Sequence, residues 1–243
     1  MRRFRAMFLL ELKKVILVPW VLIFAIAFPQ FLFVMQMENL KKSAASSFDP
    51  LVLIPSLTVL TILMLCLTTL PIGFARDREC KYFKRLRLAG ASPSLYMIVH
   101  YTIQFILGIF TMGVLSIIAV VRYNVNIPYG YLPKFFGVLL VLHIMLYFLG
   151  VIIGNTSSDV RAVQTRGLII YFILLFLGDI TCPLSNLSSS IQKVAWFLPT
   201  TYGVELLRKI LAGGALFATS YIFVILACLA VFGVMANRLF RWE

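Results

Sequence analysis

Six stretches of this chain are apolar over lengths close to the thickness of a membrane core. A helix needs about 20 such residues to cross a bilayer, because backbone groups in hydrocarbon find no water and must bond one another. The stretches are 15–37, 51–74, 97–121, 134–154, 167–183 and 215–236, the fifth being short. The expected fold is therefore an all-α integral membrane protein with six transmembrane helices, a single transmembrane domain over 1–243. Composition agrees: 61% of the 243 residues are hydrophobic and 13% charged, against about 45–50% and about 25% in soluble domains. That length leaves no room for a soluble domain beside the spans.

Six spans place both termini on one side, and the count of Lys and Arg chooses which. Fifteen belong to that side: Arg2, Arg3, Arg5, Lys13 and Lys14; Arg76, Arg78, Lys81, Lys84, Arg85 and Arg87; Arg161 and Arg166; Arg238 and Arg241. Seven belong to the other: Lys41, Lys42, Arg122, Lys134, Lys193, Arg208 and Lys209. The positive-inside rule then puts both termini in the cytoplasm of a multi-pass cell-membrane protein. It also accounts for the net charge of +13, so no nucleic-acid partner is expected. The four cysteines, Cys66, Cys80, Cys182 and Cys228, have no metal-ligand spacing. They read as small apolar fillers rather than a disulfide framework.

The first residues, MRRFRAMFLLELKKVIL, have basic residues on both sides of a short apolar patch and no small-residue cleavage site. They read as mature protein rather than a removed leader. Phe4, Met7, Phe8, Leu12 and Val15 recur at three-to-four spacing among basic residues. Residues 1–16 are thus an amphipathic interface helix, which Pro19 ends; it acts as a plain basic anchor or contacts a partner. The outer connections 38–50 and 122–133 are too short for a receptor domain. Connection 184–214 differs, since 185–212 reads as two short helices broken at Pro199 and at Gly213–Gly214. They are too short to span and too apolar to be freely solvated, so they are expected to re-enter the outer leaflet, shielded by protein.

The stretch 75–96, ARDRECKYFKRLRLAGASPSLY, joins spans two and three and holds the best-organised polar surface of the chain. At 100° per residue Tyr82, Phe83, Leu86, Ala89 and Gly90 share an arc, and Arg78, Lys81, Lys84 and Arg85 share the opposite one. The expected element is a short two-faced helix ended by Gly90 and Ser92–Pro93. Its apolar face lies on the spans, and its basic face, with Leu88, turns to the cytoplasm. A solvated loop that only sets topology is the other reading.

This order of elements resembles the permease subunits of ABC-2 type transporters. In that family an acidic-basic run after the second span leads into a small-residue turn. Here the matching residues are Asp77, Arg78, Glu79, Tyr82, Arg85 and Leu86, followed by Ala89-Gly90-Ala91-Ser92-Pro93. A second family pattern, between spans five and six, matches Leu198-Pro199-Thr200-Thr201, Glu205 and Arg208, with Tyr202 inside it, and Pro29 in the first span also fits. The family's usual Gly-Thr is Cys80-Lys81 here and its first Glu is Asp77. The resemblance covers essentially the whole chain. It implies that 76–91 is a coupling helix seated in a groove of a cytoplasmic ABC ATPase. Asp77, Arg78, Glu79, Lys81, Lys84, Arg85 and Leu88 would make that contact.

No G-x-x-x-x-G-K-[ST] phosphate loop occurs, so ATP and Mg are expected on a separate ATPase subunit and no cofactor on this chain. Nor is there H-E-x-x-H, paired intramembrane carboxylates or G-x-S-x-G, and the chain is not expected to be an enzyme. His100 and His143 fall on different spans and read as hydrogen-bonded packing residues. Gly150 and Gly154 form a G-x-x-x-G read as packing within the subunit. Asp179 is expected at the outer interface within reach of water, and Glu205 to pair with Arg208 or Lys209. Six spans are few for an enclosed path, so a second permease copy or a paralogue is expected beside it. The Phe-rich spans suit an amphipathic drug, hydrophobic peptide or lipid-linked cargo. A non-transporting scaffold or channel subunit is the alternative.

Overall fold

The computed structural model of the chain describes residues 2–17, 23–42, 50–180, 188–214 and 220–240, which hold helices and no strand. Helix α1 (Arg2–Ile16) is followed by a π-helical turn (Ile23–Ala27) that runs into α2 (Phe28–Lys42). The next rod begins with a 3-10 turn (Pro50–Val52) and continues as α3 (Leu53–Met64), a second π-helical turn (Leu65–Thr69) and α4 (Leu70–Glu79). A short α5 (Tyr82–Leu88) precedes the long α6 (Pro93–Tyr123), and α7 (Leu132–Gly154) and α8 (Val160–Leu177) follow. Two short helices, α9 (Ser189–Ala195) and α10 (Pro199–Leu211), come before α11 (Tyr221–Leu239).

Among the described residues five helices are long and apolar enough to cross a membrane: Pro50–Glu79, Pro93–Tyr123, Tyr129–Gly154, Val160–Leu177 and Tyr221–Leu239. The first expected span, 15–37, includes residues 18–22, which lie outside the described residues. Its remainder is helical from 23 to 42 and packs on α3 and α6. In the sixth, residues 215–219 lie outside as well, as do 181–187 at the end of the fifth and the start of the expected outer helices.

The α3–α4 rod is the axis of the bundle. Within its most apolar stretch 83% is buried, against 17% for α11. Leu57, Leu60, Leu63, Leu67 and Leu70 are all fully buried there. Packing this close needs neighbours without side chains at the contact, and glycines supply them. A Cβ on Gly150 would lie 1.9 Å from the Cys66 carbonyl, and one on Gly154 would lie 3.2 Å from Pro71. The G-x-x-x-G of α7 is thus spent on packing inside the chain, as expected.

His143, also on α7, departs from expectation. It is buried, yet neither ring nitrogen has a hydrogen-bond partner among the described residues. Tyr101 and Phe105 pack their rings at 5.1 and 5.4 Å from it instead. The cost of leaving its polar atoms dry is set against the packing of these two aromatic rings.

Candidate functional site

At one end of the bundle α1, α4, α5 and the start of α6 converge. The expected single helix over 76–91 is divided here. Asp77, Arg78 and Glu79 are the last turn of α4, because nothing in 70–79 stops that helix. Lys81 takes a left-handed conformation (φ 53°) that turns the chain before α5 starts. Past α5, Gly90 turns with φ +71°, a conformation L side chains rarely adopt. The Ser92 side chain then accepts from Leu95 N at 3.2 Å to start α6, with Pro93 at its first position.

The expected apolar arc holds for Tyr82, Phe83 and Leu86 but not for Ala89 and Gly90, which are exposed because the helix ends at Leu88. Phe83 is buried, 6.4 Å from the Phe74 ring and 5.0 Å from that of Tyr96, both edge-on, and Tyr82 and Leu86 are half-buried. Lys81, Lys84, Arg85 and Leu88 are exposed, Leu88 at 89%. Arg85 also donates to the Cys80 carbonyl at 2.7 Å.

Arg78 does not share that outward face. It donates to Gly154 O at 3.1 Å, Ser157 O at 3.3 Å and Asn155 Oδ1 at 2.6 Å. A guanidinium there satisfies carbonyls that the end of α7 leaves open and complements its dipole. The reason for the departure is register: Arg78 turns with α4, not with α5, so a helical wheel drawn through both misplaces it. Glu79 accepts from Val160 N at 3.0 Å, helping Asp159 cap α8. Two of the three charges expected at the start of the coupling element therefore hold the ends of α7 and α8.

Asp77 enters a cluster that the sequence reading missed. The hydroxyl of Tyr96 donates to its Oδ2 at 2.7 Å, and Lys14 Nζ lies 3.4 Å from its Oδ1. Lys14 also donates to Glu11 Oε1 at 2.9 Å, as does the Tyr82 hydroxyl at 2.9 Å. His100 Nε2 is 3.3 Å from Glu11 Oε2. Burial alone would raise the Glu11 pKa. The neighbouring His100 and Lys14 outweigh it and hold that carboxyl at about 2. Burial, and then the charge of Glu11, push the Tyr82 phenol upward. The ligand atoms of Glu11, Asp77 and His100 lie within 4.8 Å of one another, close enough for a metal ion. The Lys14 ammonium already stands between the two carboxylates. With Arg3 donating to Gly90 O at 3.2 Å, the cluster fastens α1 to α5. A signal was available: Glu11 is the lone acid before Glu38 and lies four residues from the buried Met7 on an otherwise basic helix.

The second expected segment lies at the other end of the α3–α4 rod. Pro199 opens α10, and Thr200 and Thr201 are buried. Thr201 donates to Ala195 O at 2.7 Å and so ties α10 back to α9. Tyr202 packs edge-on against Trp196 at 5.2 Å. Glu205 pairs with Lys209 at 3.6 Å, one of the two partners expected. Arg208 turns inward to the Asp179 carboxylate, to Asp179 O at 2.7 Å and to Ser56 Oγ at 2.8 Å. Asp179, expected within reach of water, is only 4% exposed and has a left-handed backbone (φ 58°). Burial of that acid is tolerable because a cation and hydrogen bonds meet it. From Ser56 to Asp77 is about 30 Å along a helix rising 1.5 Å per residue, so one rod joins the two sites.

The family model described as ABC-2 type transporter matches residues 1–212. No curated protein matches the chain.

Proposed function

This chain belongs to the ABC-2 type transporter family and is a membrane-spanning permease component of an ABC transporter, and we propose that it is the permease half of an ATP-driven exporter. In this reading it crosses the cell membrane six times with both termini in the cytoplasm. A separate ABC ATPase holds ATP and Mg, and a second permease copy or paralogue completes the path. The cargo is amphipathic or lipid-like: a drug, a hydrophobic peptide or a lipid-linked molecule. This chain performs no catalysis and takes no nucleic acid.

One observation carries the reading. The short helix α5 exposes Lys81, Lys84, Arg85 and Leu88 on one side and is anchored through Phe83 on the other. An apolar side chain 89% exposed in the middle of a basic face suits insertion into a groove whose rim is acidic. The expected docking set divides accordingly. Lys81, Lys84, Arg85 and Leu88 face outward, whereas Asp77, Arg78 and Glu79 act through the helices they hold in place.

Co-purification with the cognate ATPase tests this. Leu88→Asp or Lys84→Glu with Arg85→Glu should release the ATPase from an otherwise folded chain. Retention of the ATPase by both variants, with transport intact, would leave the scaffold reading standing instead. Export assays on the reconstituted complex across candidate cargos would then settle the substrate class.

A further inference from the structure

The two π-helical turns have a common construction. Ile23–Ala27 is followed two residues on by Pro29, and Leu65–Thr69 by Pro71. Proline has no N–H to return to the carbonyl four residues before it, here Ala25 in the first turn and Leu67 in the second. A π-helical turn inside an α-helix is rare and is a frequent place for function.

Helix α6 attends to both turns. Thr111 Oγ1 donates to Ala25 O at 3.3 Å, and Gln30 Nε2 donates to Thr111 O at 2.9 Å. Seven residues earlier on α6, and so on the same face, Gln104 Nε2 donates to Leu65 O at 3.3 Å. That carbonyl also accepts the Leu70 N–H, five residues on. Glycines close the second turn from the other side. A Cβ on Gly167 would lie 2.3 Å from Leu67 O, as one on Gly150 would crowd Cys66 O. Bending the rod at 65–69 therefore trades one donor to Leu65 O for another instead of leaving that carbonyl bare in the core.

The ends of the rod differ in what holds them. Ser56 on α3 is fixed by Arg208, whereas at the far end Asp77, Arg78 and Glu79 bond α4 to the ends of α6, α7 and α8, and α4 leads on into α5. We propose that the two π-helical turns are paired hinges and that α6 is the fixed rail beside them. A push on α5 then tilts α4 about 65–69, and with it the helix ends bonded to Asp77, Arg78 and Glu79, while α3 stays in place. Gln104 and Thr111 are positioning residues in this scheme, which rests on the reading of the chain as an ATP-driven permease subunit.

Amide hydrogen exchange on the full chain in lipid nanodiscs tests the hinge directly. Amides of 65–70 should exchange about tenfold faster than those of 57–62 on the same rod, roughly the worth of one backbone hydrogen bond. Pro71→Ala restores an N–H and should slow 65–70 to the flanking rate. Gln104→Leu keeps the proline, removes the donor to Leu65 O and should speed the same amides further. In the reconstituted complex Pro71→Ala should keep ATP hydrolysis and lose transport. Exchange at 65–70 no faster than at 57–62, or unmoved by both substitutions, overturns the hinge. If no ATPase bound the unsubstituted chain, the permease reading would fall, and the exchange pattern would still decide the hinge.

Discussion

Arg78 and Arg208 have the same chemistry and the same fate: each is a cation that the bundle turns inward to hold helix ends together. Arg78 makes three hydrogen bonds at the end of α7, and bonds from a charged donor are worth about 1.5–3 kcal/mol. Arg78→Ala should lower the unfolding free energy by about that much, whereas Leu88→Ala should stay within about 0.5 kcal/mol because that side chain is exposed. Thermal unfolding of the two variants in detergent separates a structural charge from a docking face. Arg208 stands in the buried pair with Asp179. Removing one member of such a pair leaves an uncompensated charge and costs about 3–5 kcal/mol. Arg208→Met should therefore be severe, and Arg208→Met with Asp179→Leu should cost less than the two single changes added together. Additive losses in that double-mutant cycle would mean that the pair does not act as a unit. Neither partner choice was legible in the sequence. Arg208 has Glu205 three residues away, and only the folded chain brings Asp179, 29 residues distant, to it.

At the scale of elements, α1 and α5 show what periodicity can and cannot assign. The apolar faces of both were readable, and Phe83, Tyr82 and Leu86 lie where the arc puts them. The division of 76–91 was not, because the left-handed turn at Lys81 (φ 53°) has no glycine to announce it. The joint between α1 and α5 is electrostatic, so it should respond to pH. Glu11 is lowered from an ordinary 4.5 to about 2 in the fold. A depressed carboxyl contributes stability that is fully present above its unfolded value and lost as pH falls through the folded one. The advantage of the native chain over Glu11→Gln should therefore shrink as pH falls below about 4.5 and vanish near 2. Tm measured against pH for both chains checks this, and a gap that stays constant down to pH 2 would remove Glu11 from the joint.

For the whole molecule, the exposed Cys80 beside α5 reports which side of the membrane that end occupies. A membrane-impermeant thiol reagent should label Cys80 from the cytoplasm in sealed cells or vesicles, and labelling from the outside alone would invert the proposed topology. What the sequence by itself determined is the class of object. Apolar runs of bilayer length admit only helices, since hydrocarbon offers their backbones no other partner, and local patterns placed Pro199, the small-residue turn after α5 and the two faces of that helix. The tertiary structure alone decided which charges are spent inside. Glu11, Asp77, Lys14 and Tyr96 come from three separate helices, and Gln104 and Thr111 find their carbonyls on other rods. A helix fixes the direction of a side chain about its own axis, a matter of nearby residues. Its partner depends on how the rods pack, and that is set by close contacts such as Gly150 on Cys66 and Gly167 on Leu67, between residues far apart in the chain.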